Sequence, residues 1–224
     1  MKRLKGVGVL VIISLCLVAT AFATQTAVNL TAEANTKWCS EPYNVPINCS
    51  TLPTGSKTYD GVKFKIPTTD NAWFADVAAG GSSGDVSVTI PVNVKNVVTV
   101  YTLMNTLWAS STAHLLSITF TGSDGATWTY YLVSGSDIRD YNNGNYLNSI
   151  DCSIPGAATA KAGKVGTVAA WNNGGEGQRL DMQIFALPKS FATQTLVSVT
   201  ITDNGAPEVQ RSFIAAMTVS TSLP

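Results

Sequence analysis

The clearest alternation of apolar and polar positions lies between Leu115 and Tyr141. Leu116, Ile118 and Phe120 alternate with Ser117, Thr119 and Thr121, which predicts a strand with one apolar face and one polar face. Gly122-Ser123-Asp124-Gly125 then reverses the chain, because Asp-Gly tolerates the positive φ of a hairpin turn. Trp128, Tyr130 and Leu132 alternate with Thr127 and Thr129 on the return strand, and a polar, aromatic loop follows from Gly135 to Gly144. A two-stranded ribbon cannot bury that much aromatic area alone, so a second sheet must pack on it.

The rest of the chain supplies one. Val28, Leu30 and Ala32 predict a first strand over 27–33, followed by a long connection over 36–59. Val62, Phe64 and Ile66 form the next apolar face, with Lys63 and Lys65 turned outward as on a guarded edge. Residues 67–84 read as a loop. Val86, Val88 and Ile90 read as a strand stopped by Pro91, residues 97–103 as a β-rich run, and 104–114 as a connection carrying Trp108. A Gly- and Ala-rich excursion without periodicity fills 142–163. Strands resume at 165–171, at Leu180, Met182 and Ile184, at Val197, Val199 and Ile201, and at Phe213 to Val219. Arg179, Asp181 and Gln183 alternate with Leu180, Met182 and Ile184. The pattern is all-β: about ten strands in two antiparallel sheets, laid out as a sandwich or jelly roll, with no repeat of fixed period.

Lys2, Arg3 and Lys5, an apolar run over 7–18 and Ala21-Phe22-Ala23 have the order of a secretory signal over 1–23. Cleavage there leaves residues 24–224 as one β-sandwich domain, secreted or periplasmic, without membrane attachment. It also removes three of the 14 basic residues, leaving 11 against 14 acidic ones and a net charge near −3. Nothing remains to neutralise a run of phosphates, so nucleic acid is excluded as a partner. Charged residues make up only 12% of the chain, so its surface must be mostly uncharged polar. In an exported chain Cys39 and Cys49 are the expected disulfide, stapling the connection over 34–59 and leaving Cys152 free.

Catalytic signatures are missing. Gly80-Gly81-Ser82-Ser83-Gly84 lacks the Lys and helix of a phosphate cradle. His114 is the single histidine, and no Gly-x-Ser-x-Gly elbow accompanies it. Asp137, Asp140, Asp151 and Glu176 carry no spacing that sets two carboxylates across a cleft. The reading is of a protein that is not an enzyme. Trp108, Tyr141, Tyr146 and Trp171 fall in or beside loops, where a ring can stack on the C–H face of a sugar or instead plug the sandwich end. Arg139, Asp140, Asn172 and Asn173 are suited to sugar hydroxyls, although Arg139 and Asp140 read equally well as a structural pair.

The order of landmarks resembles a known family. Val28-Asn29-Leu30-Thr31, Tyr59-Asp60-Gly61-Val62-Lys63-Phe64-Lys65-Ile66-Pro67, Leu103-Met104-Asn105-Thr106-Leu107-Trp108-Ala109, the Asp124-Gly125 hairpin and Asp137-Ile138-Arg139-Asp140-Tyr141 are similar to galactose-binding-like jelly-roll domains. Such domains include carbohydrate-binding modules and accessory β-sandwiches of glycoside hydrolases. A histidine usual near Asn105 is absent, and the Cys39–Cys49 segment is additional. The resemblance implies weak glycan recognition through loops, with a glycan or cell-surface polysaccharide as partner. It implies no cofactor beyond an optional structural calcium, for which Asp124, Asp137, Asp140 and Asp151 are donors of the right type. The alternative is a structural or adhesion sandwich with no small ligand.

Overall fold

The computed structural model describes residues 24–37, 53–112, 114–142, 146–150, 163–173 and 178–223. They form an all-β sandwich. The larger sheet runs in the order β1 (Gln25–Val28), β12 (Arg211–Ser220), β6 (Thr99–Leu107), β10 (Arg179–Ala186) and β9 (Lys164–Asn172), with the short β4 (Trp73–Phe74) also on β12. The second sheet runs β5 (Val86–Lys95), β11 (Thr195–Asp203), β7 (Leu116–Gly122) and β8 (Thr127–Leu132). A separate hairpin joins β2 (Gly55–Tyr59) to β3 (Val62–Ile66), and one helical turn, α1 (Ala75–Ala78), follows β4. Each of these strands pairs antiparallel with its neighbours.

The core between the two sheets takes Val100, Met104, Phe185, Ile214 and Met217 from one side and Ile90, Ile118, Phe120, Val199 and Ile201 from the other. A second apolar layer lies on the opposite face of the larger sheet. There Val62, Phe64 and Ile66 of the hairpin cover Tyr101, Leu103, Met182, Ile184, Phe213 and Ala215. The larger sheet is therefore covered on both faces, and every residue of β6, β10 and β12 is buried. Strands buried on both faces lose the simple apolar–polar alternation. That explains why β6 runs on to Leu107 through residues assigned to a connection, and why Arg179, Asp181 and Gln183 are buried rather than solvated. Successive strand residues face opposite ways, so Asp181 and Gln183 share the inward face of Phe185 while Met182 and Ile184 face the hairpin.

Other departures have local causes. The first strand ends at Val28, because the Asn29 side-chain oxygen accepts from the Thr31 amide (3.3 Å) and hydroxyl (2.7 Å) and turns the chain. Part of the long connection is strand: Asp60 and Gly61, at φ 47° and 79°, close the β2–β3 hairpin with the same Asp-Gly chemistry as the central one. β5 continues through Pro91, which an edge strand tolerates. In β11 the register shifts between Leu196 and Ser198, so Leu196 joins the core and Val197 does not.

The outer face of the smaller sheet is a field of hydroxyls. Thr89 pairs with Thr200 at 3.0 Å, Thr119 with Thr129 at 2.8 Å and Ser87 with Thr202 at 2.9 Å, side chain to side chain. These pairs satisfy one another across the strands, as Thr-rich ladders do.

Candidate functional site

At one end of the sandwich β6 and β10 diverge. Their ladder runs no further than Asp181 opposite Met104. The segment after β8 fills the opening. Thr106 N–H donates to the Arg139 carbonyl (3.1 Å), Tyr141 N–H to the Thr106 carbonyl (2.8 Å), and Arg179 N–H to the Tyr141 carbonyl (2.9 Å). Residues 139–141 thus sit as a short parallel insert between the two strand ends.

Buried polar side chains lock that insert. The Arg139 guanidinium forks onto Asp181, with both N···O distances 2.8 Å and the Asp181 side chain fully buried. The Asn105 side-chain amide donates to Asp181 (2.7 Å), and its carbonyl accepts from the Asp181 N–H (2.9 Å). Gln183 is held by the Thr102 hydroxyl (2.9 Å) and donates to the Met104 carbonyl (3.1 Å). Arg139 and Arg179 both reach the Asn148 carbonyl, at 3.3 and 3.1 Å. These contacts fix the segment carrying Tyr146 and Leu147, which is pinned again by Asp140 N–H to the Leu147 carbonyl (2.8 Å) and Leu147 N–H to the Ala109 carbonyl (3.3 Å).

In front of this framework lies an open groove of about 510 Å³, lined by Trp108, Ala109, Ser110, Ser111, Tyr146, Leu147, Glu208 and Val209. Trp108 sits at φ 54°, a left-handed conformation uncommon for a bulky residue. The buried Asp140 carboxylate imposes it by accepting backbone N–H groups of the 108–109 step, Ala109 at 3.2 Å. The opposite rim is the turn over 206–210, closed by Gln210 N–H to the Ala206 carbonyl (3.0 Å). The side-chain oxygen of the buried Gln210 accepts from the Ser110 N–H (3.3 Å) and the Ser134 hydroxyl (2.8 Å), which ties the two rims together. Tyr146 is 40% exposed.

Burial raises the Asp140 carboxyl above its ordinary value, while amides of Asn142, Ala109 and Trp108 and the charge of Arg179 pull it back. Burial also raises Asp137, against hydrogen bonds from Val133 and Tyr130. The Tyr146 phenol is raised by desolvation and then by the negative charges of Glu208 and Asp140. Arg179 is lowered by burial and by the neighbouring Arg139.

The structure divides the sequence-nominated residues. Trp108 lines the groove. Arg139 and Asp140 lie behind it, and they are not each other's partners: the Arg139 fork goes to Asp181, and Asp140 holds backbone amides. Adjacent residues of an extended segment point to opposite sides, so a fork between them is unfavourable. Tyr141 is 5% exposed and meets the Phe213 ring edge-on at 6.4 Å, so it is a plug of the second layer. Trp171 packs on the same layer from β9, and Asn172 and Asn173 follow it at that sheet's outer edge, outside the groove lining. Cys39, Cys49, Cys152 and Asp151 lie outside the described residues. Among the described residues no three His, Cys, Asp or Glu side chains converge as a metal set. Asp137 accepts the Val133 N–H at 3.1 Å, as Asp140 accepts its own amides.

Ser110, Ser111, Glu208 and Val209 had no sequence signal, since nothing local distinguishes them from ordinary loop residues. A second polar centre was also illegible. Arg211 is fully buried, paired with Asp203 at 3.0 Å, donating to the Ser82 and Gly84 carbonyls (2.6 and 3.1 Å), with Asp76 at 3.8 Å. It anchors the Gly-rich loop after α1 to the start of β12. No protein-family model matches the chain, and no curated protein matches it.

Proposed function

We propose that this protein is a secreted, non-catalytic carbohydrate-binding module of the galactose-binding-like jelly-roll kind, which holds glycan weakly in the groove at the open end of the sandwich. The observation that carries the reading is the grouping of two aromatic rings, Trp108 and Tyr146, with the hydroxyls of Ser110 and Ser111 and the Glu208 carboxylate around one open groove. A ring offers a flat apolar face to a pyranose, and a few polar groups beside it fix orientation. The antiparallel all-β sandwich is compatible with a jelly roll. Weak affinity follows, because one or two stacked rings and solvent-competing hydrogen bonds leave little net free energy.

A glycan array over plant, microbial and host sugars tests the reading, with Trp108→Ala and Tyr146→Ala as controls. Binding that both substitutions weaken supports it. No signal on any glycan favours the second reading, a structural or adhesion sandwich. That reading draws on the hydroxyl ladder of the smaller sheet, an uncharged surface whose side chains already satisfy one another. Sugar release from an oligosaccharide panel would instead mark a hydrolase.

A further inference from the structure

The groove has a charge character that the glycan reading leaves open. Among its eight described lining residues Glu208 is the one carboxylate, and none is Lys, Arg or His. Its position is fixed by the backbone: Glu208 itself sits at φ 59°, inside the turn closed onto Ala206 and tied through Gln210 to the opposite rim. A second carboxylate, Asp140, stands directly behind Ala109. The two arginines of the framework behind the groove do not offset this at the opening. Arg139 and Arg179 are drawn back onto Asp181 and the Asn148 carbonyl, and neither lines the groove. The opening therefore brings together the exposed Tyr146, Trp108, which also packs on the second apolar layer, and a carboxylate, with no Lys, Arg or His among its described lining residues.

From this we infer that the groove selects glycans bearing free amino groups, the class of deacetylated amino-sugar polymers, over neutral, N-acetylated or uronic-acid glycans. An ammonium group gains from the negative face of an aromatic ring and from an ion pair with a carboxylate at the rim. A uronic acid meets only like charge there, which costs affinity and slows encounter. An N-acetyl group removes the positive charge and keeps the ring, so it separates the two contributions. The inference rests on the glycan reading and adds the chemistry of the ligand to it.

The experiment is titration calorimetry of the full-length chain with a glucosamine hexasaccharide, its fully N-acetylated counterpart and hexagalacturonate, repeated with Glu208→Gln and Tyr146→Ala. The expected order is amine over acetylated over acidic, with the amine preferred roughly tenfold from the sum of a rim ion pair and an exposed cation–π contact. Glu208→Gln should erase most of that preference by lowering the amine's affinity far more than the acetylated sugar's, and raised salt should act in the same direction. Tyr146→Ala should weaken both. Equal binding of the amine and acetylated forms, or a preference for hexagalacturonate, overturns the inference and leaves glycan binding standing. Amine preference that survives Glu208→Gln with its salt dependence intact places the charge recognition elsewhere and also overturns it. Absence of binding by all three sugars, together with a blank glycan array, removes the carbohydrate reading itself.

Discussion

Arg139 and Asp181 meet in a two-pronged ion pair, 2.8 Å at each prong, across 42 residues of sequence. The pair joins the insert after β8 to the start of β10 and so holds the back wall of the groove. Truncating Asp181 to Ala leaves a guanidinium with 17% side-chain exposure unpaired. A loss of about 3–5 kcal/mol is expected for breaking such a pair, read as a lower urea midpoint. Arg139→Lys should recover little, because an ammonium cannot reproduce the fork. Urea midpoints equal to wild type in either variant would mean the pair does not hold this end of the fold.

Tyr146 and Trp171 separate binding from packing. Tyr146 is exposed on a pinned loop segment, so Tyr146→Ala should change stability by only about 0.5 kcal/mol while reducing glycan affinity several-fold. Trp171 packs on the second apolar layer, so Trp171→Ala should lower stability by about 2–4 kcal/mol and leave affinity unchanged. Parallel melting curves and binding titrations on the two proteins check the contrast, and a reversed pattern would relocate the site to the β9 edge.

Asp137 gives a pH dependence of known sign. Burial raises its folded-state value above 3.8, so between these two values the folded protein holds more protons than the unfolded one. Its contribution is greatest below 3.8 and falls as pH rises through the raised value. Asp140 shifts in the same direction for the same first cause. The stability difference between wild type and Asp137→Asn should therefore move against wild type with rising pH over that interval. Denaturant titrations from about pH 3 to 7 measure it, and carbon NMR of the two carboxyls reports the shifts directly.

Gly205 and Gly122 predict opposite outcomes for the same substitution. A Cβ on Gly205 would come within 1.9 Å of the Gln210 backbone carbonyl, at the base of the turn that carries Glu208. Backbone must move, so Gly205→Ala should cost about 1–3 kcal/mol and weaken binding as well. On Gly122 the nearest atom is the Gln194 side-chain oxygen at 2.0 Å, the end of a flexible chain. Gly122→Ala should cost less and leave binding intact. Thermal melts and one titration series resolve the pair.

Arg211 is a buried cation with no route to solvent. Arg211→Ala would strand Asp203, whose carboxylate also accepts from the Ser212 N–H (2.7 Å) and hydroxyl (2.6 Å). A loss of about 3–5 kcal/mol is expected, enough to unfold a marginal domain. Arg211→Met with Asp203→Asn should recover part of it by removing both charges. Circular dichroism during denaturation compares the two.

The sequence by itself determined what depends on neighbours along the chain. The alternation of Leu116, Ile118 and Phe120 and the Asp124-Gly125 turn gave the central hairpin, because side-chain period and turn φ are local properties. The all-β class followed from the same local properties. Tertiary structure decided the rest. Coverage of the larger sheet on both faces comes from a hairpin packed across it, and it turned Asp181 and Gln183 from surface residues into buried ones. The partner of Arg139 was unreadable because its ion pair closes a 42-residue loop, while the sequence offered only the adjacent Asp140. The groove joins the end of β6, the loop segment at Tyr146 and the turn at Glu208, three segments with no common local pattern. Their meeting is a property of strand order and register, and those are set by long-range burial and backbone pairing.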